Sequence, residues 1–254
     1  MKRIVAGFMI VCCWVSASAQ ELNVMTFNIR YNRPADSLDA WPYRKDKVAS
    51  QILFHEIELL GVQEALHDQM IDMKERLPQF KYVGGGRDDG KQKGEYSAIF
   101  YDTVKLQLLQ TKTFWLSETP DVPGSKGWDA AITRIITWAK FKIKKTNKVF
   151  FAFNTHFDHI GKVARRESAK IVLNAVKQIA GETPAVFTGD FNSRPPEEPV
   201  MIIMDKTDPL HLTDSKEISK TPTMDRPARP MPFNPKSGMI TRLIIFFSKE
   251  NGKC

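Results

Sequence analysis

Short apolar runs that lead into a side chain carrying oxygen recur along the chain. Residues 22–29 alternate apolar and polar side chains, and this period of two predicts a β-strand whose end presents Asn28. Residues 57–62 form a second, mostly apolar run, and Glu64 follows it. The pattern therefore places one amide and one carboxylate where two predicted strands stop.

A third run, residues 185–187, follows Pro184 and leads into Asp190 and Asn192. A short apolar segment bounded by Pro and Gly is typical of a buried strand, and side chains at i and i+2 beyond its end can point the same way. Two oxygen-bearing side chains that converge suit a divalent cation or a positioned water. Taken alone, a turn closed by local hydrogen bonds of these two side chains explains the pattern equally well.

Apolar spacing predicts the remaining elements of the chain. Four helices are expected, with Asp39 as a capping residue for the first: residues 41–54, 67–77, 162–179 and 197–204. Two hairpin-like strand pairs are expected, one of residues 95–101 with 106–116 and the other of residues 132–143 with 149–157. Residues 117–130, rich in Pro, Gly and Asp, are predicted to form a long loop. No internal repeat or flexible linker divides these elements.

Five predicted strand ends now carry polar groups: Asn28, Glu64, Glu95, His156 and the Asp190/Asn192 pair. Mg²⁺ takes a few hard oxygen ligands and keeps several waters, which leaves room for substrate phosphate oxygens, and Glu64 is the best single ligand. Phosphoester cleavage needs charge neutralisation, an oriented water and help for the leaving oxygen. The pattern therefore favours a magnesium site that hydrolyses a phosphoester.

Residues 1–19 have the composition of a secretory signal peptide. Lys2 and Arg3 precede the apolar run of residues 4–15, and small residues precede a cleavage site after Ala19. The run is too short for a spanning helix, so no transmembrane segment is expected. Export through this leader predicts a periplasmic or extracellular location.

The composition allows a domain that is stabilised by its core alone. The chain has 254 residues, of which 42% are apolar, enough for one large domain or two small ones. Two of the three Cys lie in the leader and the third is Cys254, so the processed chain cannot close an internal disulfide. The leader holds two of the 37 basic residues and none of the 29 acidic ones, so processing lowers the net charge from +8 to +6. That excess suits a phosphorylated substrate and equally suits ordinary solubility.

Four ordered motifs resemble those of the endonuclease/exonuclease/phosphatase superfamily of deoxyribonuclease I-like enzymes. They are Thr-Phe-Asn-Ile-Arg at residues 26–30, Gly-Val-Gln-Glu-Ala at 61–65, Asn-Thr-His-Phe-Asp at 154–158 and Gly-Asp-Phe-Asn-Ser at 189–193. The resemblance implies an α/β fold, a four-layer sandwich with two mixed β-sheets face to face and helices outside. It also implies a magnesium-dependent phosphoesterase site at one rim of the sandwich.

The resemblance further implies roles for the residues at matching positions. Glu64 would bind the metal, and Asn28 would support the metal or the phosphate. Asp190 and Asn192 would orient the attacking water and bind the phosphate. His156 would hydrogen-bond the phosphoryl oxygens or protonate the leaving group.

Two further positions match the family less closely. Glu95 occupies the place of the carboxylate that partners His156 in nuclease-type members, and a cap on the predicted hairpin is the alternative role for it. Arg134 lies where members often place a phosphate-binding residue, and a solvated strand face is the alternative. His159 is expected on the loop that enters the third helix rather than in the metal shell.

Residues 224–254 depart from the family pattern. Members close with a strand that carries an Asp inside an apolar run and then with Ser-Asp-His and a last strand, whose His is the usual general base. Residues 240–248 lie where the first of these strands belongs but contain no Asp, and Ser-Asp-His does not follow. We therefore expect a domain over residues 20–223, followed by an aberrant segment of the same domain over residues 224–254. In that segment we expect the last strands of the fold to be missing and the reading frame to be altered.

The expected function is hydrolysis of a phosphodiester or phosphomonoester by an activated water, with Mg²⁺ or Mn²⁺ as cofactor and with activity impaired by the altered ending. The alternative is a catalytically inactive relative that binds a phosphorylated ligand. Nucleic acid, nucleotide, sugar phosphate and phospholipid headgroup all stay open as the phosphoester substrate, although export argues against DNA repair. A monomer is expected.

Overall fold

Two β-sheets packed face to face form the centre of the protein. The computed structural model describes residues 22–208 and 211–219, and the backbone of residues 241–246. The strands are β1 (Val24–Asn28), β2 (Leu59–Ala65), β3 (Phe80–Val83), β4 (Tyr96–Asp102), β5 (Leu106–Trp115), β6 (Ile135–Ile143), β7 (Val149–His156), β8 (Ala185–Asp190), β9 (Thr213–Asp214) and β10 (Thr241–Phe246). The helices are α1 (Trp41–Phe54), α2 (His67–Arg76), α3 (Lys162–Ala180), α4 (Glu198–Ile203) and α5 (Ser215–Ile218), with a 3₁₀ helix at Pro34–Asp39.

Both sheets are mixed. In the four-stranded sheet the order is β1-β2-β4-β3, with β1 and β2 parallel and the other pairs antiparallel. In the six-stranded sheet the order is β5-β6-β7-β8-β10-β9, and β7 and β8 are its parallel pair. The parallel register places Asn28 beside Gln63 in the first sheet and His156 beside Asp190 in the second.

Three apolar layers hold these sheets and helices together. Helices α1 and α2 bury residues such as Trp41, Ile52 and Met70 against the outer face of the four-stranded sheet. Helices α3 and α4 cover the outer face of the six-stranded sheet. The two inner faces meet in a third core, which includes Leu59, Ile99, Tyr101, Phe141, Phe150 and Ala152. The predicted four-layer α/β sandwich is confirmed.

Strand alternation decides which side chains enter the space between the sheets. On β7, Phe151 and Phe153 pack toward α3, whereas Phe150 and Ala152 belong to the core between the sheets. Because side chains of a strand alternate between faces, Asn154 and His156 also lie on the inner face. The site residues of β7 are therefore presented toward the other sheet.

The structure corrects one predicted strand pair. β4 and β5 do not form a hairpin, because the chain crosses between the sheets after Asp102, so that β4 pairs with β2 and β3 while β5 pairs with β6. The second predicted pair, β6 with β7, is confirmed. Asp39 does not cap α1, whose N-cap is Ala40 without a side-chain hydrogen bond. β3 was not predicted from the sequence.

The strand β10 lies within the apolar run of residues 240–248. It pairs antiparallel with β8. Residues 1–21 and most of residues 224–254 lie outside the described part of the chain. The signal peptide, the domain limits, the missing last strands and the altered reading frame therefore stay predictions. Within the ranges described, no helix has the length and apolarity needed to cross a lipid bilayer.

Candidate active site

All seven predicted site residues lie at one edge of the sandwich. The parallel strands β1, β2, β7 and β8 carry Asn28, Glu64, His156 and Asp190 at or near their ends, with Asn192 just beyond β8. Glu95 and Arg134 directly precede β4 and β6, which run antiparallel to their neighbours β2 and β7. Antiparallel strands begin where their neighbours end, and so these two residues reach the same edge.

The Asn28 side chain joins the two sheets at this edge. Its Nδ2 donates to Glu64 Oε1 at 2.9 Å in its own sheet and to Asp190 Oδ2 at 3.0 Å in the other sheet. Its Oδ1 accepts from the Arg30 backbone N–H at 3.0 Å, which fixes the orientation of the amide. The two carboxylates therefore lie within two hydrogen-bond lengths of each other.

A bulge in β2 presents Glu64. The register of β2 against β4 shifts between Val62 and Ala65, and Glu64 has a positive φ of 63°. A bulge inserts an extra residue into one strand and redirects its side chains, a device common beside active sites. Glu64 Oε2 accepts from the Tyr31 backbone N–H at 3.3 Å, so the loop after β1 holds the second carboxylate oxygen.

Asp190, Asn192 and His156 form a second hydrogen-bonded group. The Asn192 backbone N–H donates to Asp190 Oδ1 at 3.0 Å, which is the turn that the sequence also allowed. Asn192 Nδ2 lies 3.0 Å from His156 Nε2 and donates to the Phe157 carbonyl at 2.9 Å. His156 Nε2 is 3.8 Å from Asp190 Oδ2. The local turn at Asp190 and Asn192 is therefore present, and it forms part of the site at which these side chains converge with His156.

Burial shifts the ionisation of Asp190 and His156. Burial raises the pKa of Asp190, with the nearby charge of Glu64 adding to the effect, although hydrogen bonds from Asn28 and the Asn192 N–H oppose it. Burial, together with the positive charges of Arg134 and Arg87, lowers the pKa of His156 well below its usual value. The imidazole is therefore neutral at neutral pH. Because Asn192 donates to Nε2, the imidazole proton is assigned to Nδ1, which is buried and has no hydrogen-bond partner among the described residues.

Glu95 pairs with Arg87, which was not among the predicted site residues. Arg87 Nη1 donates to Glu95 Oε2 at 2.7 Å, whereas the pairing of Glu95 with His156 that the resemblance implied is not seen. Burial raises the pKa of Glu95 despite the opposing charges of Arg87 and Arg134. Arg87 is in the glycine-rich loop between β3 and β4, and no local pattern marks it.

Arg134 is buried at the rim and is not part of a solvated strand face. Its side chain is only 4% exposed, and its Nε lies 3.6 Å from Asp158 Oδ2. Its Nη2 is 3.2 Å from His159 Nδ1, and His159 lies on the loop before α3, as expected. Burial and the charge of Arg87 lower the pKa of Arg134. Asp158, which anchors this arginine, is the last residue of a quoted motif but was not singled out.

The oxygen groups at this edge fit a hard divalent cation. Glu64 and Asp190 supply carboxylate oxygens around the Asn28 amide, and Mg²⁺ is commonly held by one or two carboxylates while it keeps several waters. Burial chiefly raises the pKa of Asp190, and the nearby negative charge of Glu64 adds to the effect. In the described part of the chain, no group of three or more His, Cys, Asp or Glu side chains is arranged to hold a metal.

Comparison with known proteins assigns the chain to a family. The model of the endonuclease/exonuclease/phosphatase family matches residues 25–204, and the chain belongs to this family. A crystal structure of the endonuclease/exonuclease/phosphatase from Bacteroides vulgatus is 40% identical, with a TM-score of 0.78, and the match covers 88% of this chain and 85% of that one. The structure of a mannosyl-6-phosphatase from Bacteroides thetaiotaomicron is 38% identical, with a TM-score of 0.77, over 89% of this chain and 85% of that one.

Curated relatives are more distant. An uncharacterized protein of Acanthamoeba polyphaga mimivirus is 29% identical over 182 residues, which cover 68% of this chain and 67% of the viral protein. The match to protein angel of Drosophila melanogaster is 25% identical and covers 70% of this chain but only 51% of that protein. The resemblance carried by the four motifs is confirmed, and the family's chemistry is hydrolysis of phosphoesters.

Proposed function

We propose that this protein is a metal-dependent phosphoester hydrolase in which water attacks the phosphorus. The observation that carries this proposal is the bridge made by Asn28 Nδ2, which brings Glu64 of one sheet and Asp190 of the other to a single point. Two carboxylates held together at a rim, with amides, a neutral imidazole and a buried arginine around them, suit the charge and geometry of phosphoryl transfer.

Each side chain has a role in this proposal. Mg²⁺ or Mn²⁺, held by Glu64 with Asn28 beside it, would neutralise charge on the phosphoryl oxygens. Asp190 orients the attacking water and accepts its proton, a task that the raised pKa of this carboxylate assists. Asn192 and His156 hydrogen-bond the phosphoryl oxygens once the substrate displaces the contact between Asn192 Nδ2 and His156 Nε2, and His156 then carries the single proton of its neutral imidazole on Nε2.

Arg134 supplies positive charge on the other side of the proposed phosphate position. Its guanidinium is buried, forms a 3.6 Å ion pair with Asp158 and lies 3.2 Å from His159 Nδ1, so little side-chain entropy remains to be lost on binding. In this proposal Glu95, which pairs with Arg87, balances the positive charge of Arg87 and Arg134. A direct contact between Glu95 and His156 is not required.

A sugar phosphate is the substrate class that we propose first. The relative that is 38% identical is named as a mannosyl-6-phosphatase, and it matches this chain over 89% of its length. A phosphatase of sugar esters also suits the exported location that the leader at residues 1–19 suggests, because such esters are small and do not require access to the chromosome. Nucleic acid, nucleotide and phospholipid substrates are the other classes to be screened.

A second proposal, a protein that binds a phosphorylated ligand without cleaving it, is favoured by one sequence feature. Residues 224–254 contain no Ser-Asp-His, the motif whose His the family resemblance implies as a general base. Loss of a general base lowers the rate by a factor on the order of 10²–10⁴. The site at the rim would then keep its cation and phosphate contacts while losing turnover.

Release of inorganic phosphate from mannose 6-phosphate distinguishes the two proposals. The purified protein is assayed with Mg²⁺ and with EDTA, alongside p-nitrophenyl phosphate and bis-p-nitrophenyl phosphate. Metal-dependent release that favours a monoester supports the phosphatase. Binding of mannose 6-phosphate in calorimetry without any turnover on the three compounds supports the inactive binder. Turnover that persists in EDTA would contradict the metal-dependent mechanism.

We also propose that the chain is exported and processed after Ala19, which leaves Gln20 as the first residue. Expression of the complete chain in a bacterium with an outer membrane, followed by mass spectrometry of the periplasmic fraction, tests this. A protein that starts at Gln20 supports export, and an unprocessed protein found in the cytosol contradicts it.

A further inference from the structure

A layer of polar side chains, buried at Asn154 and Thr188 and half-buried at Thr26, lies directly beneath the candidate site, between the two sheets. Three of the site residues have a polar residue two positions earlier on the same strand: Thr26 before Asn28 on β1, Asn154 before His156 on β7, and Thr188 before Asp190 on β8. Side chains two residues apart on a strand lie on the same face. Each site residue therefore stands directly above a polar residue of this layer.

Asn154 is the centre of this layer and has a partner for every hydrogen-bonding position of its amide. Its Oδ1 accepts from Gln63 Nε2 at 2.7 Å and lies 3.0 Å from Thr188 Oγ1, whose one proton is shared with the Phe153 carbonyl at 3.1 Å. Its Nδ2 donates to the carbonyls of Val62 at 2.8 Å and Ala98 at 2.9 Å. Two donors and two acceptor positions are the full capacity of an amide, so its orientation is fixed.

The two carbonyls that Asn154 binds border the bulge that presents Glu64. Val62 and Ala98 are paired across β2 and β4, and the register shift begins at Val62. Asn154 comes from β7 in the opposite sheet, yet it satisfies carbonyls on both strands next to this irregularity. A buried carbonyl without a partner is costly, and a bulge leaves ladder positions unpaired. Asn154 thus ties the bulge to the sheet that carries Asp190.

The close approach of the sheets at this point depends on Gly61. A Cβ on Gly61 would overlap Thr188 Oγ1 and would lie 2.7 Å from Asn154 Oδ1. The absence of a side chain therefore lets β2 lie against β7 and β8 closely enough for the amide of Asn154 to reach it. Gln63 contributes Nε2 to this contact, while its Oε1 is buried without a partner in the described structure.

We propose that Asn154 is a positioning residue for the metal site, and that it sets the direction of Glu64 relative to Asp190 by holding the β2 bulge. This inference rests on the proposed function, because it takes Glu64 as the metal ligand. Asn154 contacts neither the cation nor the substrate. A residue that only stabilised the fold would not be tied to the irregular backbone beside one particular carboxylate.

The test compares Asn154→Leu with Thr155→Val in the purified protein. Thr155 is the next residue of the same strand, is equally buried, and loses one hydrogen bond, from Thr155 Oγ1 to the Ile135 carbonyl at 2.8 Å within its own sheet. Mn²⁺ affinity is measured by electron paramagnetic resonance, and thermal melting is measured alongside. The Mn²⁺ affinity depends on the geometry of the metal site, whereas the melting temperature without metal reports only the stability of the fold.

We expect Asn154→Leu to weaken Mn²⁺ binding about 10-fold or more, in the range typical of residues that orient metal ligands, and Thr155→Val to leave it unchanged. Gln63→Met removes the donor that orients the Asn154 amide and should weaken Mn²⁺ binding in the same direction, which keeps the test decisive if Asn154→Leu does not fold. Wild-type affinity in folded Asn154→Leu or in Gln63→Met would overturn the inference. Absence of Mn²⁺ binding by the wild type would instead overturn the metal site itself, and the inference with it.

Discussion

Burial raises the pKa of Asp190 and lowers the pKa of His156, two neighbouring residues at the rim. Asp190 is surrounded by apolar strands and by Glu64, so its carboxylate is destabilised and becomes a better proton acceptor. His156 is surrounded by Arg134 and Arg87 as well as by apolar atoms, so its imidazole stays neutral. The two residues sit 3.8 Å apart, and their neighbours, rather than their own chemistry, set these properties.

His156 is expected to act on the phosphoryl group and not on the cation. His156→Gln should lower kcat by a factor on the order of 10²–10⁴ and leave Mn²⁺ affinity unchanged, because no hydrogen bond joins the imidazole to Glu64. Steady-state kinetics and electron paramagnetic resonance measure the two quantities. His55→Gln, an exposed position at the end of α1, is the matched control. Equal loss of metal binding and turnover in His156→Gln would contradict this role.

Asp158 is expected to stabilise the loop before α3, which carries His159, and its contact with Arg134 at the start of β6. Burial alone would raise the pKa of Asp158, but backbone N–H groups of Gly161 and Ile160 lower it to about 2, and the side chain is 1% exposed. A depressed pKa means that the carboxylate contributes stability above the unfolded value of 3.8, and that this contribution is lost as the pH falls toward about 2.

Asp158→Asn should therefore lower the free energy of unfolding by about 2 kcal/mol near neutral pH. The difference from the wild type should shrink to about half near pH 3, because the unfolded chain then holds the proton while the folded carboxylate still resists it. Urea titrations at both pH values give the two differences. A difference that does not depend on pH would show that the lost hydrogen bonds, and not the charge, are responsible.

The sequence located the main site residues because each of them follows a recognisable strand. Asn28, Glu64, His156 and Asp190 lie in short motifs whose flanking apolar runs predict where a strand ends. Arg87 carried no such signal, since only the folded loop brings it to Glu95. The role of Gln63 and Asn154 in joining the sheets depends on contacts between distant segments, which no local pattern reports.

At the scale of elements, the predicted strands and helices were found, but one strand pairing was wrong. β4 and β5 are separated by three residues, and a short connection normally indicates a hairpin. Every residue of β4 is buried, whereas β5 is exposed along much of one face, which is the difference between a central strand and an edge strand. Period-two alternation identifies a strand but not the sheet that it joins.

Contact between β2 and the opposite sheet gives a prediction about Gly61. Gly61→Ala should destabilise the protein by about 1–3 kcal/mol, because the new Cβ would overlap Thr188 Oγ1. In the double variant with Thr188→Ala the loss should be smaller than the sum of the two single losses, since the overlapping atom is gone. Urea unfolding of the wild type, the two single variants and the double variant gives the free energies of unfolding that this comparison requires. Additive losses would mean that the two strands do not touch in this way.

At the scale of the whole molecule, the site joins the two halves of the sandwich. Asn28 and Glu64 come from the four-stranded sheet, and His156, Asp190 and Asn192 come from the six-stranded sheet or the loop after it. The sandwich and its layers were predictable from the family motifs. Within residues 224–254, the strand at Thr241–Phe246 pairs antiparallel with β8.

The proposed cation, held by Glu64 with Asn28 beside it at the edge where the two sheets meet, should stabilise the fold that forms its site. A ligand at about 100 times its Kd adds about 2.7 kcal/mol to the stability of the state that binds it. Mg²⁺ at saturation should therefore raise the melting temperature of the wild type, and Ca²⁺-free buffer with EDTA provides the baseline. Glu64→Gln should show no such rise. A rise of equal size in Glu64→Gln would place the cation elsewhere.

The most direct test of the account is the metal dependence of phosphoester hydrolysis in variants of the two joined carboxylates. Rates with Mg²⁺ and with EDTA are compared for the wild type, Glu64→Gln, Asp190→Asn and the control Glu182→Gln, an exposed residue at the opposite end of β8. We predict turnover in the wild type and the control that EDTA abolishes, and a loss on the order of 10²-fold or more in both site variants. Turnover that survives in both site variants, or that does not require a metal, would contradict the account.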